Sequence, residues 1–348
     1  MSIEFRDSFA HYDTTSFDST QGGKWTTRPT ANASFGTGRW GSPSKCLVLS
    51  QNAVFAEKVL TAQQTRIVQV AVLPQSLAEN VFICQLYDGA VKHVEFIITT
   101  AGEVQVKRGD GTQLAITSGL GLVAGFWRYF ECKAKIDNSA GEVYVWVDGV
   151  SKISSTGLDT QNAGNASSDR FRLASIASNT ASRSTSFGDL VVVNTSGSAP
   201  YNDHLGEVRV ECIFPDANGT TTNFTPSTGT NHAALLDESA PNGDTDYVQS
   251  NTLGHIDLVN LGALSSSSGA TILEVTPWLW AKRTDATARS ISVGVKDTSS
   301  GTPSWGSAEA LSTGYQYYSR PMTANPVTAA IWTYSEVNAL EAGIKVEV

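Results

Sequence analysis

The stretch Glu142-Val143-Tyr144-Val145-Trp146-Val147-Asp148-Gly149 decides the fold class. In an extended chain its three valines fall on one face, while Tyr144 and Trp146 fall on the other. Both faces are large and apolar, so we expect this strand to be covered on both sides or to have one face at an interface. Asp148-Gly149 is typical of a turn that reverses the chain.

The same period-two alternation continues along the chain. Trp127–Ile136 precedes the quoted strand through a five-residue Asp/Asn/Gly turn, and Phe96–Thr99 leads to Val104–Val106 through Thr100-Ala101-Gly102. Strands without helical patterns between them pair antiparallel. The sequence therefore predicts an all-β fold of two antiparallel β-sandwich (jelly-roll) domains in tandem. Very little helix is expected, with Ser335–Glu341 as a short helix that Ser335 caps and Gly343 ends.

Length and charge divide the chain. Its 348 residues suit two domains, and the small, uncharged stretch Thr195–Pro200 is the best linker. Residues 1–198 carry 17 Lys+Arg and 17 Asp+Glu, whereas residues 199–348 carry 7 and 16, so the whole net charge of −9 lies in the second half. We therefore predict a neutral jelly roll at 1–197 and an acidic β-sandwich at 198–348 that serves as an interaction module. Clustered cations for nucleic acid are missing.

The four cysteines and the N-terminal residues indicate the cellular compartment in which the protein is made. No C-x-x-C pair occurs, and Cys84 and Cys132 alternate within apolar runs, so we interpret both as small buried hydrophobes. The first residues lack the apolar core of a signal peptide, and no apolar run reaches 18 residues. We expect synthesis in a reducing cytoplasm and no membrane insertion.

The first half resembles the concanavalin A-like lectin/glucanase superfamily in its laminin-G-like form. The resembling segments are Gly102–Arg108, Gly125–Glu131, Gly141–Gly149 and Phe187–Val193. The resemblance covers about 190 residues and implies a jelly roll. It implies little about function, since such sandwiches include lectins, hydrolases and scaffolds.

The whole chain is similar to a class of tailed-bacteriophage virion proteins, in which such a sandwich precedes an acidic β-domain. The resembling segments are Asp7–Tyr12, Lys24-Trp25, Leu205–Val210, Phe214-Pro215, Asp237-Glu238, Asp246–Val248 and Trp332–Val346. The last of these is the most distinctive. This resemblance implies an accessory virion component on the head or the tail.

Catalytic patterns are few. Glucanases of the superfamily carry E-x-D-x-x-E, which places two carboxylates about 5–5.5 Å apart, and this triplet does not occur here. Glu131 is the one acid in an apolar strand, and alternation with Phe130 and Cys132 predicts that it faces solvent. No histidine lies in the context of a nucleophilic triad, and none pairs with another His or Cys at zinc spacing. We therefore expect that the chain is not an enzyme.

Two kinds of binding residue stand out. Asp88, Asp110 and Asp148 occupy Asp-Gly turns where calcium ligands of a laminin-G-like rim would lie, although Asp-Gly is also ordinary turn chemistry. The second half concentrates aromatic side chains that could form an interface or stack on glycans. They are Trp278, Trp280, Tyr315, Tyr317 and Tyr318, of which Trp278 and Trp280 share one strand face and Tyr315 and Tyr317 share another.

Together these features predict a bacteriophage virion structural protein, either a head decoration or a tail-associated accessory. It would act by docking to copies of itself and to other virion proteins, after assembly in the bacterial host cytoplasm. The alternative is a glycan-binding, lectin-like adhesin that contacts the host surface. A glycoside hydrolase is the third possibility. No cofactor is expected apart from calcium, and no nucleic-acid partner.

Overall fold

The computed structural model describes residues 3–12, 24–29, 31–50, 53–175, 183–297 and 301–348. The chain divides into two units, Met1–Val210 and Glu211–Val348. Within these described ranges nearly all regular structure is antiparallel strand, and the only α-helix is five residues long. The all-β prediction is confirmed. None of the described helices has the length and apolar character needed to cross a membrane.

The first unit is built from two antiparallel sheets. Its strands are β1 (Ile3–Asp7), β2 (Ala33–Thr37), β3 (Lys45–Leu49), β4 (Phe55–Gln63), β5 (Thr65–Pro74), β6 (Val81–Asp88), β7 (Val91–Ile98), β8 (Val104–Arg108), β9 (Gln113–Ile116), β10 (Arg128–Lys135), β11 (Gly141–Val147), β12 (Val150–Leu158), β13 (Ser168–Ala174) and β14 (Thr185–Asn194). Sheet A has eight strands in the order β12-β11-β10-β5-β14-β3-β2, with β1 also paired to β14. Sheet B has six strands in the order β4-β13-β6-β7-β8-β9.

The apolar core of this unit lies between the sheets. Alternate residues of β10 and β11 enter it from sheet A, and alternate residues of β7 and β8 enter it from sheet B. Burying one large apolar side chain stabilises a fold by about 1.5–3 kcal/mol. Cys84 and Cys132 are fully buried members of this core, as the sequence predicted.

Residues 198–210, which we call the strap, cover the outer face of sheet A. The strap and the sheet form one apolar cluster, to which the sheet contributes Ile3, Ile67, Val191 and Val193 and the strap contributes Tyr201, Leu205, Val208 and Val210. His204 of the strap stacks on Trp146, with ring centroids 4.4 Å apart and an interplanar angle of 10°. The valine face of β11 is buried in the core, and Tyr144 and Trp146 on its other face are half-buried.

The position of the strap contradicts two predictions from the sequence. The sequence predicted that residues 198–210 belong to the second domain. They belong to the first unit, because their apolar side chains pack on sheet A. Glu131 was expected to face solvent and is instead fully buried. The Gly206 N–H donates to Oε2 of Glu131 at 3.0 Å, and burial raises the pKa of this carboxyl.

The second unit is smaller and less regular. Its strands are β15 (Pro215–Thr222), β16 (Thr225–Pro226), β17 (Val248–Gln249), β18 (Ile256–Leu261), β19 (Trp278–Ala281), β20 (Ser290–Lys296), β21 (Ser304–Trp305), β22 (Glu309–Ala310), β23 (Gln316–Ser319) and β24 (Glu341–Val346). A six-stranded sheet has the order β15-β18-β24-β20-β21, with β22 paired to β20. Two ribbons of two strands, β16-β17 and β19-β23, complete the described strands of this unit.

The helix α1 spans Tyr334–Asn338 and begins one residue earlier than predicted. Thr333, not Ser335, is its N-cap, and Thr333 and Glu336 form a reciprocal capping box. Gly343 lies inside β24 and does not end the helix. Buried Trp332 and Val337 anchor this region in an apolar cluster, so the most distinctive motif of the sequence has a packing role.

Candidate functional site

The ribbon β19-β23 brings together four of the five predicted aromatic residues. Trp280 lies opposite Tyr317 in the antiparallel register. Trp280 stacks on Tyr315, with centroids 4.0 Å apart and an interplanar angle of 14°. Tyr317 contacts Trp280 at 6.5 Å and Trp278, edge to face, at 6.1 Å. We call these four residues the aromatic array.

The members of the array differ in what they can offer a ligand. Trp278 is 39% exposed, whereas the other three rings are half-buried. Tyr315 has Trp280 against its ring, and the Nζ of Lys282 lies 4.4 Å from its centroid. The array therefore presents its accessible ring surface at the Trp278 end. The Trp280–Tyr315 stack supports it from the other end.

Tyr318 was predicted with the others but lies apart from them. Its ring is buried in an apolar cluster with Ile291 and Val293. Its hydroxyl accepts a hydrogen bond from the Ser312 N–H at 3.0 Å. Successive residues of a strand point to opposite faces. Tyr317 lies in the aromatic array, so its neighbour Tyr318 points into the core.

Polar groups lie at the Tyr315 end of the array. The Tyr315 hydroxyl donates to Oδ1 of Asp244 at 2.8 Å, and Lys282 Nζ donates to Oδ2 at 2.8 Å. These two hydrogen bonds, that of Lys282 first, lower the pKa of Asp244. Burial raises the pKa of Tyr315, and Asp244 raises it further. The array is thus fixed at this end by a charge-assisted contact.

The same loop carries further carboxylates. The side-chain amide of Asn242 donates to Glu238 at 3.0 Å and to Asp246 at 2.9 Å. Burial raises the pKa of Glu238, and the charges of Asp237 and Asp246 raise it further. These groups can exchange hydrogen bonds with a hydroxylated ligand. The sequence predicted the aromatic residues but gave no sign that this loop lies beside them.

The three calcium candidates lie in separate turns and have protein partners. Asp88 accepts from the Asn165 amide at 2.8 Å. Asp110 accepts from Arg108, which lowers the pKa of Asp110, and from the Thr112 N–H. Asp148 accepts from Arg128 and from the Tyr129 N–H. Over the described ranges, no three His, Cys, Asp or Glu side chains are grouped so that they could share a metal ion.

A row of polar side chains that the sequence did not predict crosses the outer face of sheet B. The row runs in register across five strands through Glu57, Arg172, Gln85, Glu95 and Lys107. Alternation in Arg170-Phe171-Arg172-Leu173 was the available signal, because Phe171 and Leu173 are core residues. The pairing of strands far apart in sequence could not be deduced locally.

No family model matches this chain, and no curated protein matches it. Several solved structures are similar in fold. They include an alginate lyase (11% identity, TM-score 0.38, covering 59% of this chain and 100% of the other) and domain 4 of an extracellular arabinanase from Geobacillus stearothermophilus in complex with arabinotriose (15%, 0.37, 55% and 92%). A Trypanosoma rangeli sialidase in complex with sialic acid is also similar (13%, 0.33, 51% and 27%).

By their descriptions these proteins are a lyase, an arabinanase domain and a sialidase, each of which acts on or binds carbohydrate. The prediction that the chain is not an enzyme was wrong, because lyases and a sialidase are among the similar structures. That prediction depended on three patterns that the sequence lacks: the E-x-D-x-x-E triplet, a histidine in a nucleophilic-triad context, and zinc spacing. At these identities and TM-scores the likeness assigns no activity or ligand to this chain.

Proposed function

We propose that the protein binds carbohydrate through the aromatic array of its second unit. The observation that carries this proposal is a continuous run of four aromatic rings on one ribbon, ending at a tryptophan that is 39% exposed. The C–H faces of a pyranose ring are apolar while its edges carry hydroxyl groups. A tryptophan face combined with nearby hydrogen-bonding groups suits both.

Rigidity of the array supports the same proposal. Tyr317 holds the edge of Trp278, and Trp280 is fixed by its stack on Tyr315, whose hydroxyl is bonded to Asp244. A ring that is already fixed loses little conformational entropy on binding. The exposed carboxylate of Asp244, at the Tyr315 end of the array, supplies a partner for sugar hydroxyls.

The test is a glycan array probed with the full chain, the Trp278→Ala variant and a matched control. Leu253→Ala is the control, since Leu253 is an apolar side chain of the same unit that is 71% exposed. Loss of a central interface tryptophan typically costs 2 kcal/mol or more. We expect wild type and Leu253→Ala to bind the same saccharides and Trp278→Ala to lose at least about tenfold in affinity.

Chelation provides an independent arm of the test. Because aromatic stacking needs no metal, we expect EDTA to leave binding unchanged. Binding that EDTA abolishes, and that Trp278→Ala retains, would transfer the function to the Asp-Gly turns of the first unit and contradict the proposal.

A further inference from the structure

The outer face of sheet B positions one arginine in an unusual way. Arg172 lies on β13, between β4 and β6. Its diagonal cross-strand neighbours are Phe55 and Tyr87, whose ring centroids lie 4.1 and 4.0 Å from its Cζ. Diagonal neighbours on a sheet face are within reach of long side chains. The guanidinium is therefore held by aromatic rings from both flanking strands.

The hydrogen bonds of Arg172 use only part of its guanidinium. Nε donates to Oε2 of Glu57 at 2.6 Å, and Glu57 is buried. Across the described residues Nη1 and Nη2 of Arg172 donate to no other group, and neither is among the buried atoms that lack a partner. Both terminal nitrogens are thus accessible to solvent. Arg108 of the same sheet differs, because its Nε, Nη1 and Nη2 are all bonded to Asp110 and Asp159.

The surroundings of Arg172 favour an anion that also carries hydroxyl groups. The charged side chains nearby on this face are the cations Arg170, Lys92 and Lys107 and the carboxylates Glu57, Asp169 and Glu95. Arg172 and Arg170 share the Glu57 carboxylate, so on this face the four cations, Arg172 included, outnumber the three carboxylates. The half-buried Tyr87 lies beside Arg172, donates its hydroxyl to the buried Gln85, and can accept a hydrogen bond from a ligand hydroxyl.

We propose that Arg172 is the centre of a second saccharide site, specific for a carboxylate-bearing sugar such as a uronic acid. Two unoccupied donors on one planar guanidinium match the two oxygens of a carboxylate, an arrangement that lysine cannot reproduce. The polar row from Glu57 to Lys107 crosses four strand spacings, about 19 Å at about 4.8 Å each. Glu57, Gln85 and Glu95 in this row are buried, so a ligand would reach the row at Arg172 and Lys107. The site lies in the first unit and does not depend on the aromatic array.

The experiment compares two ligands that differ only in charge. Isothermal titration of the full chain with a galacturonic acid oligosaccharide and with its methyl ester tests whether the carboxylate is recognised. We expect the acid to bind at least about tenfold more tightly than the ester. Equal binding of the two, or no binding of the acid, would overturn the proposal.

Variants assign the binding to Arg172. Arg172→Lys keeps the charge and loses the planar pair of donors, so we expect at least a tenfold loss for the acid. Arg108→Gln removes one positive charge from the same sheet without removing an unoccupied donor, and we expect affinity to stay within about twofold. Trp278→Ala should leave uronate binding unchanged. Full affinity in Arg172→Lys, or an equal loss in Arg108→Gln, would show that only the general charge of sheet B matters and would overturn the proposal.

The variants can be compared only if each of them folds like wild type. Thermal unfolding and far-UV circular dichroism of each variant must match wild type, since Glu57 is buried and relies on Arg170 and Arg172. If Arg172→Lys unfolds early, Tyr87→Phe is the replacement test, since it retains the ring and removes one sugar partner. Unchanged binding of the acid by Tyr87→Phe would refute the site.

Discussion

At the scale of single residues, burial of charge is where the structure departs most from the sequence. Alternation correctly placed Glu131 on the opposite face from Phe130 and Cys132, but nothing local indicated that this face is covered. The strap returns from about 75 positions later in the chain to cover Glu131. The sequence likewise predicted the pairs Trp278/Trp280 and Tyr315/Tyr317. That the two pairs form one array depends on the pairing of β19 with β23, which the sequence did not predict.

Two replacements of Glu131 distinguish the effect of its charge on stability from the effect of its hydrogen bond. Burial raises the pKa of Glu131, so the folded state retains a proton that the unfolded state releases, and stability is lost as pH rises through the raised pKa. Glu131→Gln keeps an acceptor for the Gly206 N–H and removes this loss. Urea unfolding should show Glu131→Gln gaining on wild type as pH rises above 4.5, the ordinary value from which the pKa of Glu131 is raised. Glu131→Ala should cost about 1–3 kcal/mol. A constant difference between wild type and Glu131→Gln would contradict this account.

His11 predicts the opposite pH dependence. Burial, together with the charge of Lys24, lowers the pKa of His11 to about 3, although Asp7 opposes the shift. Between this value and the ordinary pKa of about 6.5 the unfolded state binds a proton that the folded state does not, so stability falls as pH falls. The melting temperature of wild type should drop more between pH 7 and pH 5 than that of His11→Gln. Parallel curves for the two proteins would refute the assignment.

At the scale of elements, hairpins and sheets were largely predictable because their signals are local. The β7–β8 and β10–β11 hairpins follow the predicted strands and turns. The strap was not predictable in this way. Val208 and Val210 alternate with charged residues, but their partner is a sheet face formed by strands distant in sequence. Its composition therefore read as a linker and the start of another domain.

Truncation tests the role of the strap. A chain of residues 1–210 keeps the cluster that covers sheet A, whereas a chain of residues 1–197 exposes Trp146, Glu131 and that apolar face. We expect the longer chain to unfold cooperatively on heating. The shorter chain should melt at least several degrees lower or aggregate, because exposed apolar sheet faces promote association. Equal melting temperatures, measured by circular dichroism, would place the boundary near residue 197 after all.

At the scale of the whole molecule, the two units differ in charge as the sequence indicated. The second unit holds 6 Lys+Arg and 14 Asp+Glu, a net charge of −8. An acidic unit with an aromatic array favours neutral sugars, while Arg172 in the first unit favours acidic ones. The location in a virion, and copies of itself and other virion proteins as partners, stay predictions. Light scattering that finds a strict monomer would count against them.

The most direct measurement is isothermal titration of the full chain with a neutral oligosaccharide selected on the glycan array. Because ring stacking involves no ion pair, affinity should change less than about twofold between 0.05 and 0.5 M NaCl. Trp278→Ala should weaken binding at least about tenfold, and Leu253→Ala should not. Unaltered affinity in Trp278→Ala, with both variants folded as wild type, would contradict the assignment of carbohydrate binding to the aromatic array.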